Sequence, residues 1–489
     1  MLVDEDLRSI QEVRTLLRAA AAAQKVIAEW PQAQIDKIVE AMVRAGRAEV
    51  DRLAEMAVNE TGFGVAADKR MKNIVATEKL WESIKQMPTV GIIARHPERG
   101  LIEIGVPMGV VAGIIPSTNP TSTALYKAII SVKAGNGIVL SPHPAAAKCI
   151  REAARIVSEA AVAAGAPQGI VGCMSVPTMQ GTQELMSHQL TSVILATGGT
   201  GLVRAAYSSG KPAYGVGPGN VPAYIESSAD IPRAVSDILA SKTFDNGTVC
   251  ASEQAVITDK LIAHQVIGQL KDQQAYFLTN AEQRAVSKII VSAKGGINPA
   301  IVGQSPQRIA EMAGISIPSG VRALVAELTG VGPAHPLSME KLSPILAYYE
   351  VDGWRQACEL SMAILKFGGI GHTLAIHSKN ESIIMEFALR KPAHRIIVNS
   401  PSTHGAIGLT TGLDPALTLG CGTPGGSITA DNVTPRHLIN IKRLAYDRRP
   451  AGNQQPPEAP SANGAAGNLE DRLRRIVTQV VRERLGGQR

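Results

Sequence analysis

The chain has 489 residues, which predicts roughly three structural units at about 150 residues per domain. Apolar residues make up 45% and charged residues 19%, an ordinary globular composition that excludes a chain disordered along its whole length. The net charge is +7, and residues 447–489 contribute +3 of it through eight Arg against five acids, so the body has a mild excess suited to anionic small ligands. Aromatic residues at 3% give little surface for base stacking, so we expect no nucleic-acid partner.

The cysteines and the amino terminus bear on the compartment. Five cysteines are scattered without CxxC or Cys/His spacing, so the sequence predicts neither a disulfide framework nor a zinc site, and we expect no metal. The amino terminus MLVDEDLRSIQEV carries acids where a secretory signal has basic residues. No apolar run approaches the ~18 residues of a membrane span. We therefore expect an intracellular protein in a reducing compartment, without a membrane partner.

Residues 5–87 are predicted to form helices, because apolar residues recur at helical spacing in DLRSIQEVRTLLRAAAAAQKVIAEW and KIVEAMVRAGRAEVDRLAEMAV. The next segment, GIIARHPERGLIEIGV, predicts two short strands about a polar turn, a hairpin at about 90–106 suited to a subunit contact. From Val110 to about residue 225, short apolar runs alternate with helical stretches, which is typical of a parallel, doubly wound sheet. The sequence thus predicts a Rossmann-type cofactor domain that, with the helices before it, occupies residues 1–245.

A second α/β block is predicted for residues 246–429, with strands at EQAVIT, RALVAEL, HTLAIHS and RIIVNS. Residues 430–446 are predicted to contribute an oligomerisation strand. Residues 447–468 are rich in Pro, Gly and Ala and predict a flexible linker. Residues 469–489 then predict an amphipathic helix, with apolar residues along one stripe and arginines opposite. Such a tethered helix needs a partner surface, and the alternative is that it folds back onto the body or frays.

The loops after the predicted strands carry polar residues and glycines. Asn119 follows the strand that ends at Ile115 and precedes a predicted helix, in IIPSTNPTSTALYKA. Loops at the carboxyl ends of parallel strands face the ligand crevice, so the Asn119 amide is placed to donate a hydrogen bond; a role as a helix cap explains the position equally well. Two glycine loops, ATGGTG at 196–201 and YGVGPGN at 214–220, suit close backbone approach to a phosphate, or simple turns.

Cys250 lies in KTFDNGTVCASEQ, between a polar turn that contains glycine and an apolar strand. A lone cysteine is more often a small buried hydrophobe than a nucleophile, and reactivity requires access and a lowered pKa. The sequence therefore leaves both readings of Cys250 open. Cys149 and Cys358 fit predicted helices, and Cys173 fits a strand. Cys421, in LGCGTPGG, is placed near a site.

Three strings occur in order along the chain: GIIPSTNPTSTA, GTVCASEQAVI and TLGCGTPGGSITADNVTPRHLINIKRLA. Together they resemble the aldehyde dehydrogenase superfamily over about residues 5–446, and specifically its CoA-acylating branch of the bacterial microcompartment type. The resemblance implies an α/β fold with a Rossmann-type cofactor domain, an α/β catalytic domain that carries the thiol, and small oligomerisation strands. It also implies a homodimer or homotetramer that uses NAD, or NADP, with coenzyme A as co-substrate.

The resemblance also implies catalytic roles. Cys250 matches the family's catalytic thiol, and Asn119 matches the amide that forms the oxyanion hole with the Cys250 backbone N–H. A thiolate adds to an aldehyde, hydride leaves to a nicotinamide, and an acyl-thioester remains for transfer to CoA. Hydrolytic members carry a water-activating Glu in an ELGGK-type string, and ungapped matching of KPAYGVGPGNVP places Val216 there. Water attack then loses ~10²–10⁴-fold. The implied reaction is reversible, CoA-dependent oxidation of a short aldehyde, acetaldehyde or propionaldehyde.

The implied cofactor contacts lie in five places. The matching residues are Pro116, Ser117 and Thr118 beside the nicotinamide; Thr197, Gly198 and Gly199 near the pyrophosphate; Ser141, Pro142 and His143 at the adenine ribose; Gly217 and Gly219 beside the pantetheine arm; and Glu340, with Pro344 in the same string MEKLSPI, for the nicotinamide ribose. Ser141 stands where many members have Lys, so the sequence allows both NAD and NADP. Glu340 is alternatively a solvated surface acid. His404, in NSPSTHGAIG, is a candidate proton shuttle or a structural imidazole.

The tail resembles the encapsulation peptides that direct enzymes into bacterial microcompartments. This resemblance implies shell or core proteins as partners and the microcompartment lumen as the location, with the cytoplasm as the alternative. A membrane-surface helix is a weaker alternative, because a helix of 17 residues offers a small apolar face. Two rival functions stay open: a non-acylating dehydrogenase that releases acid, and a microcompartment scaffold protein whose body is inactive.

Overall fold

The computed structural model describes residues 4–292 and 295–448. The predicted helix at 469–489 and nearly all of the predicted linker lie outside the described residues. Within the described part of the chain, no helix has both the length and the apolar character needed to cross a membrane.

The first part of the chain is helical, which confirms the prediction for residues 5–87. The Asp4 side chain caps the first helix by accepting hydrogen bonds from the N–H groups of Asp6 and Leu7, and a buried stripe that includes Val13 packs inward. The helices of the described chain are α1 Glu5–Ile27, α2 Gln32–Ala48, α3 Val50–Thr61, α4 Ala66–Ile74, α5 Leu80–Ile84, α6 Pro120–Lys133, α7 Ala147–Ala163, α8 Met179–Ser187, α9 Thr200–Tyr207, α10 Ile231–Thr243, α11 Ala263–Asp272, α12 Asn280–Ile290, α13 Pro306–Ala313, α14 Gly353–Gly368, α15 Glu381–Arg390 and α16 Ser402–Ala406.

The strands of the described chain form three sheets. They are β1 Gly91–His96, β2 Leu101–Pro107, β3 Val110–Ile115, β4 Gly137–Pro142, β5 Val171–Cys173, β6 Thr191–Thr197, β7 Ala213–Val216, β8 Val221–Ile225, β9 Glu253–Asp259, β10 Ala275–Phe277, β11 Ala323–Glu327, β12 Ile345–Val351, β13 Gly371–His377, β14 Ala393–Val398 and β15 Ile439–Ala445.

The five-stranded sheet has the order β5-β4-β3-β6-β7, and its strand pairs are parallel. Its central strand β3 is buried along its whole length, as expected for a sheet whose two faces are covered by helices. This sheet confirms the predicted Rossmann-type domain. Helix α7 begins at Ala147, after a separate 3-10 turn at Pro144–Ala146.

The seven-stranded sheet has the order β10-β11-β12-β9-β8-β13-β14, and all of its strand pairs are parallel. It corrects the boundary predicted at residue 245, because β8 lies between β9 and β13 and α10 packs against the same sheet. The chain leaves the first sheet after Val216 and enters the second at Val221 without an intervening helix. The alternation of strands and helices in the sequence therefore does not reveal the change of sheet. Strands β10 and β12 were not predicted.

The three-stranded sheet has the order β1-β2-β15 and confirms the predicted hairpin and the strand after residue 430. The described chain divides into two compact units, and the smaller one consists of Ile92–Ile104 and the described residues from Lys442 onward. Inside this unit Arg443 Nε lies 3.1 Å from Glu103 Oε1, and the Tyr446 N–H donates to the Gly100 carbonyl at 2.9 Å. The other two sheets both belong to the larger unit.

Candidate active site

A cavity of about 880 Å³ opens at the carboxyl ends of β3, β4 and β6, a volume suited to a ligand of cofactor size. Both predicted catalytic residues, Cys250 and Asn119, line it. Most of the predicted cofactor residues also line it: Pro116, Ser117, Thr118, Ser141, Pro142, His143, Thr197, Gly198, Gly199, Gly217 and Glu340. The fold thus brings together segments that are far apart in sequence.

Two walls of this cavity differ in origin. We name as the cofactor wall the residues at and just after the carboxyl ends of β3, β4 and β6, namely 116–119, 141–143 and 197–200. We name as the thiol wall the lining residues contributed by the second block, namely Thr248, Cys250, Gly296, Ile297, Met339, Glu340, Leu342, Phe367 and Gly368. Val216 and Gly217 lie where the chain passes from one sheet to the other.

Gly219 and Pro344 are not among the lining residues. The Gly219 N–H donates to Glu340 Oε1 at 2.9 Å, and a Cβ added to Gly219 would come within 2.1 Å of the Cys250 carbonyl oxygen. Gly219 therefore lies against the nucleophile, where no side chain fits. Pro344 precedes β12, and its carbonyl accepts the Leu324 N–H at 2.9 Å, so it belongs to the pairing of the seven-stranded sheet rather than to the cavity.

The Cys250 thiol pairs with a histidine that the sequence analysis missed. His372 Nε2 lies 3.1 Å from Cys250 Sγ, and His372 Nδ1 lies 2.8 Å from the Thr373 hydroxyl. Burial raises the pKa of Cys250 to about 12. Burial, aided by the charge of Arg395, holds the pKa of His372 well below its usual range. A neutral imidazole therefore faces a protonated thiol, and this pair can pass a proton when the sulfur attacks.

His372 opens β13, directly after the glycines of the string FGGIGH, and 122 residues separate it from Cys250. A histidine that follows a glycine run at the start of a predicted strand is the one signal by which it could have been found. His404, the predicted proton shuttle, is not among the residues lining the cavity. It packs edge-on against Phe244 with ring centroids 4.7 Å apart, which supports its reading as a structural imidazole.

Asn119 occupies the N-cap position of α6, but its side chain makes no capping hydrogen bond. Its Oδ1 instead accepts a hydrogen bond from Lys72 Nζ at 2.7 Å, and its Nδ2 donates to the Thr118 hydroxyl at 3.1 Å. Asn119 therefore caps the helix through its backbone, whose carbonyl accepts the Thr123 N–H at 3.1 Å, and not through its side chain. Asn119 lines the cavity, and its Nδ2 has one N–H beyond the bond to Thr118 that can donate there.

The cofactor wall fits a dinucleotide. Helix α9 begins at Thr200 without a side-chain cap, so its first N–H groups are available to a phosphate. A side chain added at Gly199 would meet nothing within 4 Å, and the buried Thr197 hydroxyl has no hydrogen-bond partner among the described residues. Ser141 Oγ pairs with Thr182 Oγ1 at 2.8 Å, and His143 Nδ1 accepts the Ala145 N–H at 3.2 Å.

Glu340 is a wall residue of the cavity and not a solvated surface acid. Burial raises its pKa to about 7, although the Gly219 N–H and the charges of Lys242 and Lys341 act in the opposite direction. Burial in turn lowers the pKa of Lys242 to about 7. Lys341 Nζ donates to three backbone carbonyls, one of them that of Leu337 at 2.8 Å. The Gly219 N–H is thus the group that bonds the Glu340 carboxylate, and the two buried lysines act on it through their charge.

The remaining cysteines are free, and their places agree with the sequence analysis. Cys149 is buried in α7, Cys173 ends β5, and Cys358 lies in α14. Cys421 is buried close to Gly217, and its thiol donates a hydrogen bond to the Leu419 carbonyl at 3.6 Å. Among residues 4–292 and 295–448, no group of three or more His, Cys, Asp or Glu side chains is arranged to hold a metal ion.

The fold and the cysteine site define a class. The model of the aldehyde dehydrogenase family matches residues 6–287, more than half of the chain, and the chain belongs to this family. It is 42% identical over 442 residues to the bifunctional aldehyde-alcohol dehydrogenase of Escherichia coli strain K12, a match that covers 89% of this chain and 50% of that protein. The chain thus spans about half the length of the first curated relatives that it matches.

Solved structures include two informative relatives. An acetylating aldehyde dehydrogenase from Geobacillus thermoglucosidasius is 57% identical, with a TM-score of 0.90, and the match covers 93% of this chain and 100% of that one. A propionaldehyde dehydrogenase from Rhodopseudomonas palustris, solved with bound CoA and an acylated cysteine, is 26% identical, with a TM-score of 0.81 and coverage of 89% and 97%.

Proposed function

We propose that this chain is a CoA-acylating aldehyde dehydrogenase, which oxidises a short-chain aldehyde to acyl-CoA with NAD or NADP and runs in both directions. The pairing of Cys250 with a buried neutral His372 carries the proposal, because this pair supplies a nucleophile and its base. The acetylating and CoA-bound relatives support the same class of reaction. Acetaldehyde or propionaldehyde is the proposed substrate.

Cys250 starts the reaction as a thiol, because burial raises its pKa to about 12. As the sulfur attacks the aldehyde carbon, His372 Nε2 accepts the thiol proton over the 3.1 Å that separate the two atoms. The imidazole then carries protons on both nitrogens, and Nδ1–H donates to the Thr373 hydroxyl at 2.8 Å. In the neutral tautomer with the proton on Nδ1, the Thr373 hydroxyl is the acceptor for that proton and Nε2 is free to act as the base.

The aldehyde oxygen becomes an oxyanion when the carbon–sulfur bond forms. The Asn119 amide N–H and the Cys250 backbone N–H are the donors that stabilise it, and removing one such donor costs ~10²–10³ in kcat. NAD(P), when bound along the cofactor wall, supplies the acceptor for the hydride lost from the tetrahedral carbon. Glu340 would hold its ribose, and Gly198, Gly199 and the start of α9 its pyrophosphate. Cys250 is left as an acyl-thioester.

The second half of the reaction needs a nucleophile other than water. Val216 lines the cavity, and its side chain cannot accept a proton. The ungapped sequence match supports the proposal that it stands where hydrolytic members carry a water-activating carboxylate. His372 first releases to solvent the proton that it took from Cys250. The thiol of CoA then attacks the acyl carbon, His372 accepts the proton of that thiol, and it returns this proton to the Cys250 sulfur as the sulfur leaves. The acyl group has then moved from one thioester to another with no net change of protons.

Steady-state assays with and without CoA, over a series of aldehydes, test the proposal. We expect NADH and acyl-CoA in equal amounts, with acyl-CoA identified by mass spectrometry. Omitting CoA should lower the steady rate by about 100-fold or more, because water lacks a base, and should leave one burst of NADH per active site. Steady NADH formation with free acid and no need for CoA would assign the hydrolytic reaction instead. Absence of turnover with every aldehyde would favour the scaffold protein.

We propose a homodimer or homotetramer that uses the three-stranded sheet as a contact. Ile92 on β1 is 50% exposed and Leu444 on β15 is 45% exposed, and a subunit contact over this sheet would remove both apolar side chains from water. Light scattering coupled to size exclusion should give two or four times the chain mass of 51.4 kDa. The Leu444→Lys variant should lower that mass, and a monomeric wild-type protein would contradict the proposal.

We propose that residues 447–489 direct the enzyme to the lumen of a bacterial microcompartment through shell or core proteins. The pattern of the sequence alone supports this, because residues 449–489 lie outside the described part of the chain. A fluorescent protein that carries residues 447–489 should form puncta in cells that make a shell. The Val477→Glu variant places a charge on the apolar stripe and should become diffuse, whereas Gln479→Glu should not. A diffuse parent fusion would contradict the proposal.

A further inference from the structure

A buried ion cluster joins helix α4 to the turn that precedes the nucleophile. The Asp245 carboxylate is fully buried and accepts hydrogen bonds from Lys69 Nζ at 2.9 Å, from the Val65 N–H at 2.7 Å, from the Thr248 hydroxyl at 2.7 Å and from Lys72 Nζ. Burial would raise the pKa of Asp245, but the charges of Lys72 and Lys69 outweigh it and hold this pKa below its ordinary value. The mechanism above assigns no role to these lysines.

Lys72 is the member of the cluster that reaches the oxyanion hole. Its ammonium group has three N–H donors, and each has one acceptor: an oxygen of Asp245, Asn119 Oδ1 at 2.7 Å and the Thr248 hydroxyl at 3.0 Å. The side chain is 1% exposed, so water does not compete for these bonds. Lys72 therefore joins the Asn119 amide to the segment that ends at Cys250.

The contact with Lys72 determines which way the Asn119 amide faces. An ammonium group only donates, so the carbonyl oxygen of the amide must face Lys72 and the NH₂ group must face away. One N–H of that group donates to the Thr118 hydroxyl at 3.1 Å. The other N–H makes no hydrogen bond among the described residues, and Asn119 lines the cavity. With Lys72 absent, the amide could turn and present an oxygen to the developing oxyanion, which is repulsive.

The same contact strengthens the amide as a donor. The positive charge of Lys72, next to the carbonyl oxygen of the Asn119 amide, withdraws electron density from the amide nitrogen. Consecutive hydrogen bonds, here from Lys72 to the amide and from the amide onward, also reinforce one another in a buried, low-dielectric site. Burial lowers the pKa of Lys72 to about 8, while the Asp245 charge acts to keep it protonated. At neutral pH the group is therefore a cation next to the amide.

We propose that Lys72 is a positioning residue of the oxyanion hole, which orients and polarises the Asn119 amide relative to Cys250. This inference rests on the proposed function, because it assumes an oxyanion formed on an aldehyde at Cys250. Lys69 offers a matched comparison. It is also buried and bonds to Asp245, but its second acceptor is the Thr118 backbone carbonyl at 3.2 Å and not the amide side chain.

A double-mutant cycle on kcat tests the inference. We expect Asn119→Ala to lower kcat by ~10²–10³-fold and Lys72→Met by about 10²-fold, with little change in the KM for aldehyde, because the interaction matters only when the oxyanion forms. The double variant should be no slower than Asn119→Ala alone. Lys69→Met should instead lower the unfolding temperature, and any loss of kcat that it causes should multiply with the loss caused by Asn119→Ala. If the losses of kcat caused by Lys72→Met and by Asn119→Ala multiply in the double variant, the inference is overturned.

Alkylation by iodoacetamide separates this role from general damage, because the alkylation forms no oxyanion. The rate constant for alkylation of Cys250 in Lys72→Met should stay within about threefold of wild type. If alkylation and turnover fell by equal factors, the substitution would act on the reactivity of the thiol, and the inference would be overturned. Protection of Cys250 by acetaldehyde needs only the thiohemiacetal, so it can be measured even if the CoA assays refute the proposed function. Protection by acetaldehyde should weaken in Lys72→Met and in Asn119→Ala, and the double variant should lose no more protection than Asn119→Ala alone. Unchanged protection in Lys72→Met would contradict the positioning role of Lys72.

Discussion

The cofactor wall and the thiol wall of one cavity are built from different kinds of group. Residues 116–119, 141–143 and 197–200 present hydroxyl, amide, imidazole and backbone groups, and none of them carries a carboxylate, an ammonium or a guanidinium. The thiol wall presents Cys250 and Glu340, and the buried His372 pairs with Cys250. Burial raises the pKa of Cys250 and of Glu340 and lowers the pKa of His372. The cofactor wall is thus suited to binding by shape and backbone, and the thiol wall to bond making.

The two walls also differ in how far their contacts reach along the chain. Each part of the cofactor wall lies at the carboxyl end of its own strand or directly after it. The thiol wall depends on pairs such as Cys250 with His372, 122 residues apart, and Gly219 with Glu340, 121 residues apart. We therefore expect substitution of Cys250 or His372 to remove a chemical step, and substitution of Glu340 or of the cofactor wall to change affinity, with Asn119 as the exception because its amide meets the oxyanion.

The largest effect is expected at the sulfur of the thiol wall. Cys250→Ala should lower NADH formation with aldehyde and CoA by at least about 10³-fold, because no covalent intermediate forms. Cys421→Ala, which removes the buried thiol near Gly217, should retain most of the activity. Mass spectrometry should find the acyl adduct on Cys250 and not on Cys421 after incubation with aldehyde and NAD. Retained turnover in Cys250→Ala would remove the chemical distinction between the walls.

The base of the thiol wall is the next target. His372→Asn should lower kcat by ~10²–10⁴-fold and slow the alkylation of Cys250, because no group then accepts the thiol proton. The lowered pKa of His372 keeps the imidazole neutral as the pH falls through 6.5, so wild-type kcat should not decline there. His404→Asn is the control and should change kcat by less than about threefold. Equal losses in the two variants would contradict the assignment of His372.

Val216 lies between the walls, and its substitution should alter the outcome of the reaction. Val216→Glu supplies a carboxylate that can activate water, so release of free acid should rise by about tenfold or more. Val216→Gln is the matched control, because it has the same shape and no base. Acid and acyl-CoA are measured together by chromatography. An unchanged ratio in Val216→Glu would show that residue 216 does not face the acyl group.

The smallest effect is expected where the thiol wall meets the cofactor. Glu340→Gln should raise the KM for NAD(P) by about tenfold with a smaller change in kcat, because a charged acceptor for the ribose is lost. Since burial raises the pKa of Glu340 to about 7, protonation below that pH should raise the wild-type KM, and the variant should lack this dependence. Ser141→Ala on the cofactor wall should change the KM by less than about threefold. A pH-independent wild-type KM would contradict the role of Glu340.

The contrast between the walls also explains what could be predicted from the sequence. Strand β3 was predicted at Val110–Ile115, where the structure has it, because strand rhythm and the loop that follows are local features. The sheet change at β8 was missed because no helix marks it. The contact of Lys72 with Asp245, across 173 residues, leaves no local signal. Strand β12 was missed because no helix separates it from the segment before it.

The turn before the nucleophile has a consequence for heat stability. Asp245 and Asn246 both have φ of 51° and Gly247 has φ of 74°, a left-handed run that costs roughly 1–3 kcal/mol for each residue other than glycine. The hydrogen bonds to the Asp245 carboxylate help to hold the backbone in this shape. We expect this turn beside the sulfur to lose its geometry before the sheets unfold, so that catalysis fails at a lower temperature than the fold does.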